Sequence, residues 1–487
     1  MIRSILLIQF ISLSAILSAQ ELTFTHGKPI EQKLNYYDKK YGNQEFKITY
    51  FDTVSRTAYH QTWEDENVNI EILKDYVNQS SIIKNFDIKI ATGNPNALLH
   101  TFLNVGPEYY VVYSAINGNE VTASIQKINS DLIATGKAQP LATFPSSKDD
   151  NSFRVLLGKE GKQILFIRDY QDKIQVKSFS DSFAALWSKT FEVKTEDIIL
   201  SSIGVTEDGY LYIGGYYYKK REIVDPFVIV YSTKTQQHQV NHFPKEEGME
   251  LFNFNMSLLE DNEPVVACMY SKKRERGYRL YKINAATLRL ENFATQAISE
   301  EFKKATNIGY KDENFTITDI AKLQNGNIVF SIEGQVTHGA NNTGNISHSA
   351  SYYTSPTNVI TVNSSGTEEW DKLIRKFQQQ GSASHLIGHY FFHSNNKVYL
   401  VYNDVNENFS LSPFVEQKAW VLKEKNMYVA IAEIDEKGNA KKLNLITKNP
   451  KEVSYFVVDE SRKITNNLFR FKFTTPKGMH YSMLEVK

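Results

Sequence analysis

The amino-acid sequence predicts an all-β protein, a single β-propeller of seven four-stranded blades that is closed by an N-terminal strand. Three observations lead to this fold. The 487 residues include 28 Tyr and 29 Phe, and many of them lie in short alternating segments of the kind that form strands. Turn residues, chiefly Gly, Asn and Asp, bound these segments. The segments recur at intervals close to the roughly fifty residues of one propeller blade.

The first recurring element is a turn followed by a strand rich in Tyr, Val and Ile. Typical copies are Gly161–Ile167, Asp208–Gly214 and Asn325–Phe330. Seven copies begin at residues 106, 161, 208, 262, 325, 395 and 466, so neighbouring copies start 47 to 71 residues apart. Seven copies predict seven blades.

A second element follows each of the first six copies. It is an apolar strand end, a polar turn and a further strand, as in Ile128–Leu132, Ile283–Thr287 and Ile434–Gly438. Each repeat therefore contains two hairpins, or four strands. The seventh repeat lacks its fourth strand, and we expect the segment 21–95 to supply it from Phe46–Phe51 or Ile82–Ile90, which would protect the open edge of the last sheet. The propeller repeats proper span residues 96–487.

The first twenty residues have the pattern of a signal peptide. Arg3 is followed by an apolar stretch from Ile5 to Leu17 and by the small residues Ser18 and Ala19. This order of a positive charge, an apolar core and a small-residue cleavage site is typical of secretory leaders. We therefore expect an exported protein, soluble in the periplasm or outside the cell.

The repeat units resemble a family of exported bacterial proteins with β-propeller-like repeats and no assigned activity. The resemblance lies in units such as Tyr109–Ser114, Phe183–Lys189 and Ile317–Asn327, and it covers roughly residues 90 to 487. These motifs are specific for hairpins and carry almost no chemical information. The resemblance therefore implies the fold and transfers no catalytic residue.

Composition excludes several classes of protein. The 55 basic residues balance the 55 acidic ones and the pI is about 7.2, which argues against a nucleic-acid-binding protein. The single cysteine, Cys268, permits neither an internal disulfide nor a thiolate zinc site. It lies in the apolar run Pro264–Tyr270, so a buried structural thiol is expected. No catalytic motif of the hydrolase, phosphate-binding or zinc-protease type occurs in the chain.

Three histidines at even spacing, His385, His389 and His393, form the sharpest polar feature of the sequence. Residues four apart on a strand are separated by roughly 13 Å, whereas both ligands of one zinc ion must lie about 2 Å from it. A single strand therefore does not bring them to one metal, and no metal or cofactor is expected. His385 and His389 remain candidates for contact with a ligand at the channel or rim, beside a purely structural interpretation.

A second candidate ligand site combines Tyr216 and Tyr218 with Lys219 and Arg221. Aromatic faces next to cations bind sugars or anionic polymers. The alternative is that the tyrosines pack between blades while the basic residues form a hairpin tip. Lys272–Arg276 occupies the corresponding place in the next repeat.

Two long stretches interrupt the repeat, and helical signals are weak. Gln335–Pro356 is rich in Gly, Asn, Ser and Thr and is expected to be a loop, and Val405–Lys425 is a longer insertion. Such loops carry function more often than strands do. Glu300–Thr306 and Glu368–Gln379 are each expected to form one or two helical turns.

The leading interpretation is an exported, non-enzymatic propeller. Its ligand is expected to be a glycan or a protein of the cell envelope or the extracellular space. The protein is expected to be a monomer and to have no transmembrane segment once the signal peptide is cleaved. The alternative is a carbohydrate-active enzyme, a glycoside hydrolase or lyase, whose carboxylates meet at the central channel. Four aspartates are scattered along the chain as candidates for such a pair: Asp169, Asp225, Asp319 and Asp404. Nothing in the sequence selects a pair among them, and Asp169 and Asp404 are interpreted as turn residues. No catalytic residue is assigned.

Overall fold

The computed structural model describes residues 22–26, 47–52, 57–64, 67–73, 82–86, 97–105, 108–129, 133–146, 153–158, 162–170, 172–193, 198–219, 222–244, 246–273, 275–306, 314–338, 351–380, 386–421, 427–445, 455–475 and 478–487. The signal peptide expected over residues 1–20 lies outside these ranges. Within them the chain forms 34 strands in eight sheets.

Sheets 1 to 4 follow one another along the chain. Sheet 1 contains β2 (Lys47–Asp52), β3 (Thr57–Glu64), β4 (Asn67–Leu73) and β5 (Ile82–Phe86). Sheet 2 contains β6 (Ala97–Val105), β7 (Glu108–Asn117), β8 (Glu120–Ile128) and β9 (Ala134–Pro145). Sheet 3 contains β10 (Arg154–Leu157), β11 (Gln163–Tyr170), β12 (Lys173–Ser180) and β13 (Ala185–Glu192). Sheet 4 contains β14 (Ile198–Val205), β15 (Tyr210–Lys219), β16 (Glu222–Ser232) and β17 (His238–His242).

Sheets 5 to 8 complete the set. Sheet 5 contains β18 (Met249–Leu258), β19 (Pro264–Lys272), β20 (Glu275–Asn284) and β21 (Arg289–Ala297). Sheet 6 contains β22 (Asn314–Lys322), β23 (Ile328–His338), β24 (Ser351–Val362), β25 (Glu368–Ile374), β26 (Gln378–Gln380) and β29 (Trp420–Val421). Sheet 7 contains β27 (Tyr390–Ser394), β28 (Lys397–Val405), β30 (Met427–Ile434) and β31 (Ala440–Asn444). Sheet 8 contains β32 (Tyr455–Thr465), β33 (Leu468–Thr475), β34 (Gly478–Val486) and β1 (Leu22–His26).

The sheets are arranged in a ring around a channel. Paired strands run antiparallel, except for β26 and β29 of sheet 6, which pair parallel. The first strand of each sheet contacts a neighbouring sheet, as β18 contacts β22 and β22 contacts β27. The ring closes because β2 contacts both β6 and β32. These first strands are the innermost ones and form the wall of the channel.

The described strands make eight sheets, one more than the seven blades predicted. The missed sheet is sheet 1, whose strands lack the Gly/Asn turn and Tyr/Val/Ile strand by which the repeats were counted. Phe46–Phe51 and Ile82–Ile90, the two segments expected to close the ring, overlap β2 and β5 of this sheet instead.

Closure by an N-terminal strand is confirmed, although a different segment provides it. β1 pairs antiparallel with β34, with Leu22 opposite Val486 and Phe24 opposite Leu484. Leu22 packs against the apolar cluster between sheets 7 and 8. The first described strand of the chain thereby covers the edge of the last sheet, which would otherwise be open to pairing with other chains.

Apolar clusters between neighbouring sheets hold the ring together. The cluster between sheets 5 and 6 includes Met269, Tyr278 and Phe330, all fully buried, and similar clusters lie between the other sheets from 2 to 8. Cys268, on β19, is fully buried, and burial raises the pKa of its thiol to about 12. The expectation of a structural thiol is confirmed.

One of the two expected helical segments is a helix. Helix α1 (Glu300–Ala305) begins after Ser299, whose hydroxyl accepts from the amide of the buried Phe302. The expectation for Glu368–Gln379 is wrong, because β25 and β26 occupy this segment. The β-branched partners that β24 offers to β25, and the tyrosines that it offers to β26, override the weak local helical preference.

Irregular pairing in the innermost strands shapes the channel wall. The register shifts between Leu99 and Thr101 in β6, between Leu200 and Ser202 in β14, and between Ile317 and Ile320 in β22. Such a bulge turns a side chain away from the alternation of a regular strand. In β22 the bulge contains Thr318 and Asp319.

The two ends of the ring differ. We call one end the turn face, because short turns such as 323–327, 363–367 and 435–439 lie there. The other end is the loop face, which holds the connection 406–419 between β28 and β29. The loop face therefore carries the longest described irregular segment of sheets 6 and 7.

Candidate functional site

Four ionisable side chains meet between sheets 6 and 7, next to the channel, and are called here the channel cluster: Asp319, Glu333, Lys376 and His389. Asp319 lies on the innermost strand β22, and Glu333 on the second strand β23. Lys376 follows β25, and His389 immediately precedes β27. The cluster thus joins the channel wall to the interior of the ring.

Side chains from sheet 5 fix the bulge that carries Asp319. The side-chain amide of Asn255 donates to the carbonyl oxygens of Ile317 (3.3 Å) and Thr318 (3.0 Å). The hydroxyl of Ser257 donates to the carbonyl of Ile320 at 3.2 Å. The innermost strands of neighbouring sheets do not share a backbone ladder, so these side-chain hydrogen bonds join β18 to the bulge of β22.

Glu333 and Lys376 form a fully buried ion pair, with each side chain 1% exposed and Lys376 Nζ in contact with Glu333 Oε1. Burial alone would raise the pKa of Glu333, but the charges of Lys376 and His389 lower it to about 2. Burial lowers the pKa of Lys376, against the attraction of Glu333. A pair buried in this way is retained only because each charge compensates the other.

His389 is enclosed, with no exposed side-chain surface. Its Nδ1 lies 3.2 Å from Glu333 Oε1, and its Nε2 lies 3.1 Å from Ser331 Oγ and 3.3 Å from Thr318 Oγ1. Both ring nitrogens therefore have partners within the protein. The preceding residue, Gly388, has φ +93°, which favours glycine.

Asp319 is the one member of the channel cluster that is partly exposed. Its side chain is half-buried on the innermost strand. Burial raises its pKa to about 6, although His389 and the Thr318 hydroxyl both favour the ionised form. Among the described residues, no lysine or arginine forms an ion pair with this carboxylate.

A second buried carboxylate, Asp404, lies at the base of the insertion. It accepts hydrogen bonds from Asn408 Nδ2 (2.6 Å) and the Tyr428 hydroxyl (2.9 Å), and Lys442 Nζ lies at 3.3 Å. The interpretation of Asp404 as a turn residue was wrong, because it lies within β28 and is 3% exposed. Its lysine and amide partners are more than three residues away along the chain, so the sequence gives no local sign of them.

The insertion after β28 is a compact loop, residues 406–419, called here the docking loop. Asn408 is buried at its centre and exchanges two hydrogen bonds with the backbone of Lys418, at 2.8 and 2.9 Å. The carbonyl of Pro413 accepts from the amide of Arg375 at 2.9 Å, which attaches the loop to sheet 6. Phe414 packs against the core cluster between sheets 6 and 7.

Three large apolar side chains of the docking loop project into solvent. Phe409 is 47% exposed, Leu411 37% and Val415 44%. Only three other described residues of this kind are comparably exposed, namely Ile133, Leu186 and Ile199, and they lie far apart in sequence. Three of these six exposed large apolar side chains therefore lie within residues 409–415 of the docking loop.

Of the tyrosine site expected from the sequence, only the side chain of Tyr216 is described by the structure. The Tyr216 hydroxyl donates to the carbonyl of Phe254 at 2.6 Å, and its ring packs edge-on against the Phe254 ring. Tyr218 and Lys219 lie at the end of β15, and Arg221 and His385 lie outside the described residues. Tyr216 thus packs between sheets 4 and 5.

The basic hairpin tip of the next repeat, Lys272–Arg276, has an acidic residue beside it. Glu246 accepts from Arg279 and lies 3.5 Å from Lys272 Nζ. These contacts reduce the positive charge of the tip. Of the remaining candidate carboxylates, Asp169 lies at the end of β11, and Asp225 lies 3.8 Å from His242 Nδ1.

Glu333 and Lys376 were not among the residues singled out from the sequence. The only local signals are that Glu333 directly follows the mostly apolar run Ile328–Ile332 and that Lys376 lies within Leu373–Phe377. The partners are 43 positions apart, so neither signal identifies the other residue.

No group of three or more His, Cys, Asp or Glu side chains in the described part of the chain is arranged to hold a metal ion. A shallow pocket between β14 and β18 is lined by uncharged residues, including Ser202, Tyr212 and Leu258. It is separate from the channel cluster.

None of the helices in the described ranges has the length and apolar character needed to cross a membrane.

Solved structures with a similar course of the chain have little sequence in common with it. The WD40 domain of SCAP from fission yeast is 9% identical, with a TM-score of 0.39 over 96% of this chain and 98% of that one. Prolyl oligopeptidase B from Galerina marginata is 11% identical, with a TM-score of 0.38 over 88% of this chain and 55% of that one. An uncharacterized protein from Listeria monocytogenes EGD-e is 11% identical, with a TM-score of 0.35 over 78% and 93% of the two chains.

No protein-family model matches the chain, and no curated protein matches its sequence. The sheet topology itself defines the architecture: seven four-stranded antiparallel sheets and the six-stranded sheet 6 follow one another in a ring, and β1 completes the last sheet. The chain is a β-propeller.

Proposed function

We propose that this chain is an exported, non-catalytic β-propeller that binds a protein partner through the docking loop, residues 406–419. The observation that carries the proposal is the exposure of Phe409, Leu411 and Val415 on a loop whose backbone is held by hydrogen bonds to the buried side chain of Asn408. The leader pattern in residues 1–20 supports export.

The loop is built before any partner arrives. Asn408 links Asp404 of β28 to Lys418 at the other end of the loop, and Lys442 Nζ donates to the Asn408 carbonyl at 3.1 Å. A preformed loop loses little conformational entropy on binding, so more of the contact free energy appears as affinity. The same bonds keep the apolar side chains from collapsing onto the core.

The exposed chemistry favours a protein over a glycan. Leu411 and Val415 are aliphatic and offer no hydrogen bonds to sugar hydroxyl groups, whereas Phe409 packs one edge against Tyr428 at 5.5 Å. Exposed apolar patches on otherwise polar surfaces mark protein-binding sites. Glu407, paired with Lys418 at 3.2 Å, and the exposed Glu416 give the patch a charged rim. We infer a partner with an apolar surface of its own.

The alternative, a carbohydrate-active enzyme, requires two carboxyl groups that face the substrate. In the described part of the channel Asp319 is half-exposed, but Glu333 and Asp404 are buried and each is compensated by a lysine. A buried, compensated carboxylate is not available to protonate a leaving group or activate water. Binding is therefore the better supported function.

The test is photo-crosslinking in the source cells. A photoreactive phenylalanine analogue replaces Leu411 in one variant and Leu186, which is 53% exposed on β13, in the control. We expect one discrete adduct from position 411 and none from position 186. The partner is then purified, and its Kd is measured for the wild type and for the triple variant F409S/L411S/V415S.

Truncating exposed anchor residues of an interface weakens binding by roughly tenfold or more, so the triple variant should bind at least that much more weakly with an unchanged Tm. Identical adducts from both positions would contradict the proposal. So would an unchanged Kd in the triple variant.

A further inference from the structure

The chain contains the tripeptide Asn-Gly-Asn twice, at residues 117–119 and 325–327. An Asn-Gly pair can react internally, because the backbone nitrogen of the glycine can attack the side-chain carbonyl carbon of the asparagine. Glycine favours this attack, since no Cβ hinders the approach to its nitrogen. The two tripeptides are identical, so a difference in their reactivity in the folded protein comes from the structure around them.

Hydrogen bonds hold the reacting groups of the second copy, in the turn between β22 and β23. The amide of Gly326 donates to the carbonyl of Leu323 at 2.9 Å. Oδ1 of Asn325 accepts from the amide of Asn327 at 3.0 Å, and the amide of Asn325 donates to Oδ1 of Asn396 at 3.2 Å. Attack by the Gly326 nitrogen therefore requires its own bond and that of Asn325 Oδ1 to break.

The first copy lies at the tip of the hairpin between β7 and β8. Asn117 ends β7 opposite Glu120, which begins β8, so Gly118 and Asn119 form a two-residue turn. All four residues are exposed, and a Cβ added to Gly118 would meet no atom within 4 Å beyond its chain neighbours. Within the described part of the chain, the amide of Gly118 and the side chain of Asn117 have no hydrogen-bond partner.

The last ladder pair is the main restraint on this tip. Asn117 and Glu120 form that pair, and the end of a hairpin opens locally at a small cost in free energy. Opening lets the Asn117 side chain turn towards the Gly118 nitrogen without uncovering the core, since none of the four tip residues is buried. The tip therefore reaches the reactive geometry more often than the turn at residues 323–327 does.

We propose that Asn117 is a site of spontaneous deamidation in the folded protein and that the structure protects Asn325. The Gly118 nitrogen bonds to Cγ of Asn117, its proton passes through solvent to the departing amine, and ammonia leaves. The product is a cyclic succinimide. Water then adds to one of the two succinimide carbonyl carbons and breaks the bond from that carbon to the Gly118 nitrogen, which leaves aspartate or isoaspartate.

The reaction changes the hairpin tip in two ways. Both products place a new negative charge next to Glu120, the residue opposite in the ladder. Isoaspartate also adds one carbon to the backbone at the two-residue turn, so the last ladder pair no longer fits its register. Water is the only co-reactant. The site belongs to sheet 2 and takes no part in the docking loop.

The test is peptide mapping by mass spectrometry of the full chain after incubation in mildly alkaline buffer, folded and in urea. Proteolysis separates the two tripeptides, and the change from an amide to a carboxyl group is read from the mass of each peptide. The variants N117S and N325S assign the two signals, and near-UV circular dichroism establishes that the incubated protein stays folded. Urea provides the matched control, because both sites then differ only in their flanking sequence.

In the folded protein we expect Asn117 to deamidate roughly tenfold faster than Asn325 or more, because the second site must first give up two hydrogen bonds. In urea the two rates should be equal. Hydroxylamine, which cleaves the succinimide, should release fragments that begin at residue 118 from the folded chain. Equal rates in the folded protein overturn the proposal, as do a faster reaction at Asn325, a difference that persists in urea, and the absence of reaction at Asn117.

Discussion

Lys463 Nζ lies 2.7 Å from Glu260 Oε1, although the two residues are 203 positions apart and belong to sheets 8 and 5. Sheets 6 and 7 lie between them in the ring. The ion pair therefore crosses the channel at the turn face. Because the Lys463 side chain is 35% exposed and that of Glu260 50%, solvent screens the pair.

The pair should contribute little to stability. We expect Glu260→Gln to lower the free energy of unfolding by about 0.2–1 kcal/mol, as for other exposed ion pairs. The difference should shrink further as salt is added. Urea denaturation at low and high ionic strength measures it. The matched control is Glu407→Gln, which breaks another exposed ion pair: Glu407 and its partner Lys418 are each 49% exposed. A loss several times larger at Glu260 alone would contradict this estimate.

The buried pair Glu333–Lys376 should behave in the opposite way. Removing one partner leaves an uncompensated buried charge, so Glu333→Gln and Lys376→Met should each cost about 3–5 kcal/mol. The double variant should cost clearly less than the sum of the two, because both charges are removed together. Denaturation of all four proteins completes the cycle. Additive losses would show that the two charges do not compensate each other.

Asp319 should make the protein less stable as the pH rises. Burial raises its pKa from 3.8 to about 6, so between these values the folded state binds more protons than the unfolded state. D319N removes this effect. We expect its stability relative to the wild type to increase from pH 4 to pH 6 and then to remain constant.

Urea denaturation of both proteins across this range measures the difference. The groups that act on Asp319 are His389, Glu333, Thr318 and Tyr390, and all are retained in D319N. The lowered pKa of Glu333 therefore affects both proteins in the same direction. A difference that does not change with pH would contradict the assignment.

Removal of β1 should open the ring at its last sheet. Deleting residues 1–26 exposes the edge of β34 and uncovers the cluster that Leu22 packs against, whereas deleting residues 1–21 leaves this strand in place. We expect the longer deletion to lower the Tm and to form oligomers through edge pairing, as measured by light scattering after gel filtration. A monomer with the Tm of the shorter deletion would contradict the role of β1.

Much of the fold could be predicted because each repeat carries its own local signal. Asp208–Gly214, for example, contains the turn and the first half of β15. Sheet 1 was missed because its strands lack this turn. The closing strand was placed in the wrong segment, since Leu22–His26 is short and its partner Gly478–Val486 lies at the far end of the chain.

The candidate site was less predictable than the fold. His389 was singled out for its spacing, but its partners come from β22, β23 and β24, between 32 and 71 positions away. Whether a charged residue such as Asp404 belongs to a turn or to the core depends on its burial. Its burial depends in turn on which sheets become neighbours, which the local sequence does not specify. The docking loop was recognisable as an insertion, while its exposed side chains were not.

The central claim is that the docking loop is a preformed binding surface. Amide hydrogen exchange of the free protein tests it most directly, because the amides of Leu411, Val415 and Lys418 donate within the loop, at 3.1, 3.2 and 2.9 Å. We expect these amides to exchange more slowly than an unstructured peptide by a factor on the order of 100 or more. Exchange at the rate of an unstructured peptide would contradict the claim.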